Sequence, residues 1–203
     1  MSDATPGVVV LISGRGSNML AIAQAGREGR IPARVVGVIS DRADAAGLAR
    51  ARELGIPATV VPVVSGDRAA HGRALAAAIE AQPASLVALR YEGRLLNVHP
   101  SLLPAYPGLH THRRALAAGE RLHGCTVHFV TEELDAGPAV IQARVPVLPG
   151  DDVASLSARV QRWEHTIYPE AIGWFAAGRL AWRDGGPWLD GRRLTAPVQR
   201  GEA

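Results

Sequence analysis

The sequence is poor in the features that mark secreted and membrane proteins. Only one of its 203 residues, Cys125, is a cysteine, so an internal disulfide is excluded and a reducing, cytoplasmic environment is expected. It also has no run of the ~18 apolar residues that a membrane span requires. The short apolar run Val8–Ile12 has no basic residues before it, so we expect no signal peptide.

Lysine is absent, and all 22 basic residues are arginine, with a formal net charge of +3. A basic chain can bind nucleic acid, but these arginines are scattered along the sequence rather than gathered on one predicted face. Compositional bias is one alternative explanation, since the chain is also rich in alanine and glycine. An enzyme whose substrates are anions is another. We expect no nucleic-acid partner and no membrane partner.

Apolar strands alternate with helical segments in the first half of the chain. Strands are predicted at residues 8–12, 34–39, 58–61 and 85–89. The segments between them have the apolar spacing of helices, and Asp67 is placed to cap the third helix. Such alternation is typical of a parallel, doubly wound α/β sheet.

The second half of the chain has a different pattern. Residues 125–130 and 139–147 alternate between apolar and polar side chains, which predicts an antiparallel hairpin. A long helix is predicted after Asp151 or Asp152, and Pro169 should kink or divide it. We therefore predict a single α/β domain over residues 1–203, with a mostly parallel sheet and an antiparallel C-terminal part. Its halves cover about 8–94 and 95–194, and residues 195–203 are expected to be frayed.

A glycine-containing turn, Ser13–Asn18, joins the first strand to the first helix, with Ser17 or Asn18 as the expected cap. Strand, glycine turn and helix in this order present backbone N–H groups to a phosphate. The alternative is an ordinary turn. A dinucleotide fingerprint is only partly matched, because Met19 replaces its third glycine, although Asp41 could serve as the ribose-binding acid.

The segment Arg94–Pro104 carries the most suggestive chemistry. Asn97 and His99 lie two residues apart on a predicted strand, so both side chains project from one face. The alternative is a histidine that only caps a loop. Asp135 lies at the predicted hairpin turn, where functional residues often occur. Amide, imidazole and carboxylate suit direct group transfer with oxyanion stabilisation. A covalent nucleophile is not indicated, because no serine elbow accompanies them and Cys125 is placed mid-strand.

A metal site is the rival hypothesis. Five histidines fall within thirty residues of the chain: His99, His110, His112, His123 and His128. The pattern His-x-His at 110–112 could place two ligands on one side of the chain. No cysteine pair or His-Glu-x-x-His motif supports a metal. We expect the loop histidines to bond the backbone instead.

Five segments, in order, show a specific resemblance to a known family. The sequence resembles the folate-dependent glycinamide ribonucleotide formyltransferases of purine synthesis over about Val8 to Leu194. Methionyl-tRNA formyltransferase and formyltetrahydrofolate deformylase are similar, but their further domains and a differing loop make them poorer matches. The segments are Leu11–Asn18, Leu95–Pro104, Tyr106–His112, Val127–Pro138 and Glu164–Pro169.

The resemblance implies a reaction and a catalytic set. The donor would be 10-formyltetrahydrofolate and the acceptor the amine of glycinamide ribonucleotide. Asn97, His99 and Asp135 would be catalytic, stabilising a tetrahedral intermediate and moving a proton, with no metal. The substrates are small molecules, and we expect a cytoplasmic monomer or weak homodimer.

The resemblance also implies binding residues. The nucleotide phosphate would be held by Gly16, Ser17 and Asn18, and its sugar side by Gln161 and Glu164. By residue type alone, Gln161 and Glu164 would simply be polar residues on the solvent-exposed side of a helix.

The folate-binding residues implied by the resemblance are Arg68 and Asn97. By residue type alone, Arg68 is a solvated arginine in the first turn of a helix, where its charge opposes the helix dipole.

One junction departs from the family. Only five residues separate Leu89, the end of one predicted strand, from Leu95, the start of the next. Parallel neighbours need a crossover of about a dozen residues or more. Either these strands form an antiparallel hairpin, or residues are absent between Leu89 and Arg90, where the family has about a dozen more. We favour residues missing from the written sequence; with a true deletion, a nucleotide-binding protein with impaired transferase activity is the alternative function.

Overall fold

The computed structural model describes residues 5–63, 67–82 and 93–201, and it describes Arg68 by its backbone only. The chain divides into two compact units, Met1–Arg94 and Leu95–Ala203. The predicted strand 85–89 and the junction of Leu89 with Arg90 lie outside the described residues.

The elements of the N-terminal unit are, in chain order, β1 Gly7–Ile12, α1 Ser17–Arg27, β2 Arg34–Ser40, α2 Ala46–Glu53, β3 Ala58–Val60 and α3 Arg68–Glu80. The strands form a parallel sheet in the order β1-β2-β3. Most residues of β1 and β2 are buried, as expected for parallel strands that are covered on both faces. This arrangement confirms the predicted alternation of parallel strands and helices.

The helix starts in this unit differ in their capping. Asp67 caps α3 as predicted, because its carboxylate accepts a hydrogen bond from the backbone N–H of Ala70 at 2.7 Å. The predicted cap of α1 by Ser17 or Asn18 is wrong: the capping position is Gly16, with φ of +70°. A residue with a side chain rarely adopts that left-handed conformation, which accounts for the glycine.

The elements of the C-terminal unit are, in chain order, β4 Leu96–His99, α4 Thr111–Ala117, β5 Leu122–Phe129, β6 Ala139–Pro146, α5 Val153–Ala176, β7 Leu180–Arg183, β8 Gly186–Leu189, β9 Arg192–Arg193 and β10 Val198–Gly201. In the larger of the two sheets described here, the strand order is β10-β6-β5-β4, with β5 antiparallel to both neighbours and β10 parallel to β6. The antiparallel pairing of β5 with β6 confirms the predicted hairpin. Strands β7, β8 and β9 form an antiparallel sheet of their own.

Two expectations about this unit are corrected. Helix α5 is capped by Asp152 as predicted, but it continues through Pro169 without dividing. Its buried face runs along both sides of the proline, so packing holds the two parts in one helix. The segment Val198–Gly201 is not frayed, because it pairs with β6 from Ile141 to Arg144.

The core of the C-terminal unit lies between α5 and the larger sheet. Burying each large apolar side chain stabilises a fold by about 1.5–3 kcal/mol. Its fully buried members include Leu156, Val160, Ile167, Val127, Phe129 and Ile141. Within the described part of the chain, no helix combines the length and apolar character needed to cross a membrane.

Candidate active site

Strand β4 presents Asn97 and His99 on one face, as the spacing predicts. The neighbouring strand β5 places His128 opposite Asn97 and Thr126 opposite His99. Because directly opposite residues of an antiparallel pair share a face, these side chains are brought together. The structure therefore forms a polar cluster on this face of the sheet.

His99 lies between two acceptors. Its Nε2 is 2.9 Å from the backbone oxygen of Tyr106, and its Nδ1 is 3.4 Å from Oδ2 of Asp135. A carbonyl oxygen can only accept, so Nε2–H donates to Tyr106. A carboxylate oxygen faces Nδ1 as well, and only the imidazolium form carries an N–H on both nitrogens. The Asp135 carboxylate is therefore placed to form an ion pair with the His99 ring whenever that ring is protonated.

Asp135 is held in place by the turn that joins β5 to β6. It adopts a left-handed backbone conformation with φ of +53°, and Oδ2 accepts the backbone N–H of Gly108 at 2.8 Å. A Cβ at Gly137 would lie 1.8 Å from the backbone oxygen of Phe129, so the turn can close only with glycine there. The carboxylate is thus directed back onto His99, whereas the sequence pattern predicted only that Asp135 lies at the hairpin turn.

The loop after β4 completes the surroundings of His99. Arg114 lies over the Tyr106 ring, 5.3 Å from its centre, and donates to the backbone oxygen of Pro107 at 2.6 Å. The Tyr106 hydroxyl donates to Glu120 at 2.7 Å. These contacts restrain the loop that carries the Tyr106 carbonyl, which accepts a hydrogen bond from His99, and the Gly108 N–H, which donates to Asp135.

His128 belongs to the cluster and was missed as a site residue. Its Nε2 is 3.3 Å from Nδ2 of Asn97 and 3.9 Å from Oδ1 of Asp135, and its Nδ1 is 2.9 Å from the backbone oxygen of Phe129. Burial lowers the pKa of His128. Its position was deducible in part: the alternation of β5 put it on the same face as Thr126. That this face meets Asn97 depends on strand pairing, which the sequence did not specify.

Two other histidines of the rival metal hypothesis contact each other. Nδ1 of His112 and Nε2 of His123 form a hydrogen bond of 3.1 Å. Burial lowers the pKa of His123 to about 4 and also lowers that of His112. Among residues 5–63, 67–82 and 93–201, no group of three or more histidine, cysteine or acidic side chains is arranged to bind a metal.

The glycine turn of the N-terminal unit packs against the start of α2. The backbone N–H of Gly47 donates to the oxygen of Gly14 at 3.0 Å, and a Cβ on Gly16 would lie 3.0 Å from the Cα of Gly47. Ser17 and Asn18 begin α1, whose first turn contains no acidic residue. The partial positive charge of a helix N-terminus is therefore not neutralised by a carboxylate of that turn.

Three predicted binding residues belong to elements other than β4, β5 and the turn that holds Asp135. Gln161 is exposed and Glu164 half-buried, three residues apart on α5. Arg68 is the first residue of α3 in the N-terminal unit, and its side chain lies outside the described part of the structure. Asn97, predicted to bind the folate as well, lies in the cluster.

Comparisons with known proteins give consistent results. A profile of the family described as formyl transferase matches residues 7–172. Phosphoribosylglycinamide formyltransferase of Escherichia coli K12 is 49% identical over 201 residues, covering 92% of this chain and 95% of that protein. The enzyme of the same name from Haemophilus influenzae is 41% identical over 201 residues, with the same coverages. The solved structure of Coxiella burnetii phosphoribosylglycinamide formyltransferase has a TM-score of 0.89 and 42% identity, covering 96% of this chain and 100% of that one.

Proposed function

This chain belongs to the formyl transferase family, and we propose that it transfers the formyl group of 10-formyltetrahydrofolate to the amine of glycinamide ribonucleotide. It is an enzyme, and its relatives of 41–49% identity are phosphoribosylglycinamide formyltransferases by name; we place its reaction in purine biosynthesis. The observation that carries the mechanism is the contact of His99 with Asp135 beside Asn97 on β4. The comparisons support a transferase rather than the alternative of a nucleotide-binding protein.

The cluster stabilises charge that develops during the reaction. Attack of the amine on the formyl carbon gives a tetrahedral intermediate with a negative oxygen. Asn97 donates an amide N–H to that oxygen, and the positive charge of His99 stabilises it. In the structure Nε2–H of His99 donates to the Tyr106 carbonyl, so it must leave this carbonyl to donate to the substrate oxygen. Such a rearrangement on substrate binding is common in active sites.

Asp135 has two roles in the proposal. Its negative charge favours the protonated form of His99, because an opposite charge nearby stabilises an ion. Its carboxylate also helps to move the proton released by the attacking amine to the departing folate nitrogen, through water. No step requires a metal.

The binding residues are assigned by unit. In the N-terminal unit, Gly16, Ser17 and Asn18 hold the nucleotide phosphate, supported by the left-handed glycine and the helix N-terminus. In the C-terminal unit, α5 provides Gln161 and Glu164 for the sugar side of the nucleotide.

The folate is contacted by Arg68 and Asn97. The first assignment rests on the resemblance to the family. The second is supported by the place of Asn97 beside His99 on β4.

We further propose that the enzyme is cytoplasmic, a monomer or weak homodimer, with no nucleic-acid or membrane partner. Its one cysteine is a buried free thiol, which is compatible with a reducing compartment. Burial raises the pKa of the Cys125 thiol well above its usual range, so the reactive thiolate is disfavoured.

A direct assay tests the function. Purified protein is mixed with glycinamide ribonucleotide and 10-formyltetrahydrofolate, and the formylated nucleotide is measured by mass spectrometry. We expect turnover, and a loss of about 10²-fold or more in kcat for His99→Ala, comparable to the removal of an oxyanion donor. Binding of the nucleotide without transfer would favour the nucleotide-binding alternative. Full turnover by His99→Ala would remove this residue from the mechanism.

A further inference from the structure

We propose that His128 is a positioning residue that fixes the orientation of the Asn97 amide for the reaction. The inference rests on the proposed function, and it concerns a residue to which the mechanism above gives no role. His128 is 2% exposed, and its two ring nitrogens contact the Phe129 backbone oxygen and the Asn97 amide nitrogen. Each contact restricts where a proton can lie.

The contact with Phe129 determines the tautomer of His128. A backbone carbonyl oxygen has no proton to donate, so the 2.9 Å contact places a hydrogen on Nδ1 of His128. In the neutral ring, Nε2 then carries a lone pair. Burial lowers the pKa of His128 and so favours this neutral form.

The lone pair on Nε2 determines the orientation of the Asn97 amide. A side-chain amide can rotate so that either its oxygen or its NH₂ group faces a neighbour. An oxygen 3.3 Å from the Nε2 lone pair would place two acceptors against each other, whereas Nδ2–H donates to it favourably. One N–H of Asn97 is thus used by His128, and the second N–H is the one that donates to the oxyanion.

The neutral state of His128 also leaves the Asp135 carboxylate to interact with His99. Two imidazoles flank one carboxylate: Nδ1 of His99 is 3.4 Å from Oδ2, and Nε2 of His128 is 3.9 Å from Oδ1. The 3.9 Å between Nε2 of His128 and Oδ1 of Asp135 is too long for a hydrogen bond, as expected when a lone pair rather than a proton faces the carboxylate. A protonated His128 would compete with His99 for Asp135 and would no longer accept from Asn97.

A double-mutant cycle tests this role. The kcat of formyl transfer is measured for wild type, Asn97→Ala, His128→Phe and the double variant. We expect Asn97→Ala to lose about 10²–10³-fold, as for an oxyanion donor. For His128→Phe alone, kcat should fall by about 10- to 100-fold, the effect of a misplaced group, with KM for the nucleotide nearly unchanged. In the Asn97→Ala background, however, the second substitution should cost less than about two-fold, since it acts through a group already removed.

Two further variants separate positioning from general damage. His128→Gln offers an oxygen that can accept from Asn97, so it should recover most of the lost kcat. His123→Phe replaces another buried histidine of β5, whose Nε2 bonds His112 rather than Asn97. The fold-loss in kcat caused by His123→Phe should be the same in the wild-type and Asn97→Ala backgrounds.

The outcomes are distinct. Multiplicative losses in the cycle with His128, or no recovery in His128→Gln, overturn the role of His128 while the transferase function stands. Absence of transfer by wild-type protein refutes the function and with it the role. If His128→Phe does not fold, ¹⁵N NMR of the wild-type histidine rings decides: we expect a protonated Nδ1 and a bare Nε2 at neutral pH. A proton on Nε2 would overturn the inference.

Discussion

Replacing Asp135 by Asn removes one negative charge from the candidate active site and changes little else. Asparagine has the same shape as aspartate, and its oxygen can still accept the N–H of Gly108, now at 2.8 Å from the carboxylate. The substitution leaves His99 without the anion that lies 3.4 Å from its Nδ1. It therefore isolates the electrostatic contribution of Asp135 from its structural one.

The size of the effect follows from that distance. Two opposite unit charges 3.4 Å apart attract each other by about 5 kcal/mol at an effective dielectric constant of about 20. The cost of desolvating a carboxylate that is 9% exposed offsets part of this attraction. We expect the activation barrier to rise by about 2–4 kcal/mol, which lowers kcat by about 30- to 10³-fold.

Steady-state kinetics and thermal melting together check this expectation. The kcat should fall while KM for the nucleotide and the melting temperature stay close to those of the wild type. Asp190→Asn is a matched control, because Asp190 also has a positive φ, of +50°, but pairs with Arg179 at 2.8 Å on the surface. It should keep full activity. A loss below about five-fold in Asp135→Asn, too small for an adjacent charge pair, would refute the electrostatic argument.

Two further predictions concern pH and backbone geometry. Burial lowers the pKa of His123 to about 4 in the fold, whereas the unfolded value is ~6.5. Between these pH values the unfolded chain therefore binds more protons than the folded one. The free energy of unfolding should be at its full value above the unfolded pKa and should decline by about 3 kcal/mol as pH falls to ~4. Denaturant titrations at several pH values should show a shallower decline for His123→Phe, and an unchanged decline would contradict the assignment. Gly16→Ala should destabilise by about 1–2 kcal/mol from its left-handed φ and raise KM for the nucleotide. Gly29→Ala, at φ of +69° in open space, should show only the destabilisation, and an equal rise in KM for both variants would argue against a phosphate site at Gly16.

The features predictable from sequence were those encoded by short periodicities. The spacing of Asn97 and His99 placed both on one strand face, because side chains alternate strictly along a strand. The apolar strands and intervening helices of the N-terminal unit likewise predicted its parallel sheet. Asp135 was placed at a turn by the alternating strands on either side of it.

The features missed from sequence depend on contacts between distant segments. His128 joins the cluster only because β5 pairs with β4 in a register that sets it opposite Asn97, and no local pattern encodes a register. The capping position of α1 was assigned by residue type to Ser17 or Asn18, whereas the close approach of Gly47 explains why glycine at residue 16 takes it.

The short strand β10 has a consequence for the behaviour of the protein in concentrated solution. It pairs along β6, a strand whose Val140, Ile141 and Val145 are fully buried. An uncovered apolar strand of this kind offers unpaired backbone groups to the strands of other molecules and promotes aggregation. The polar residues of β10, including Gln199 and Arg200, thus present a less adhesive edge than the strand they cover.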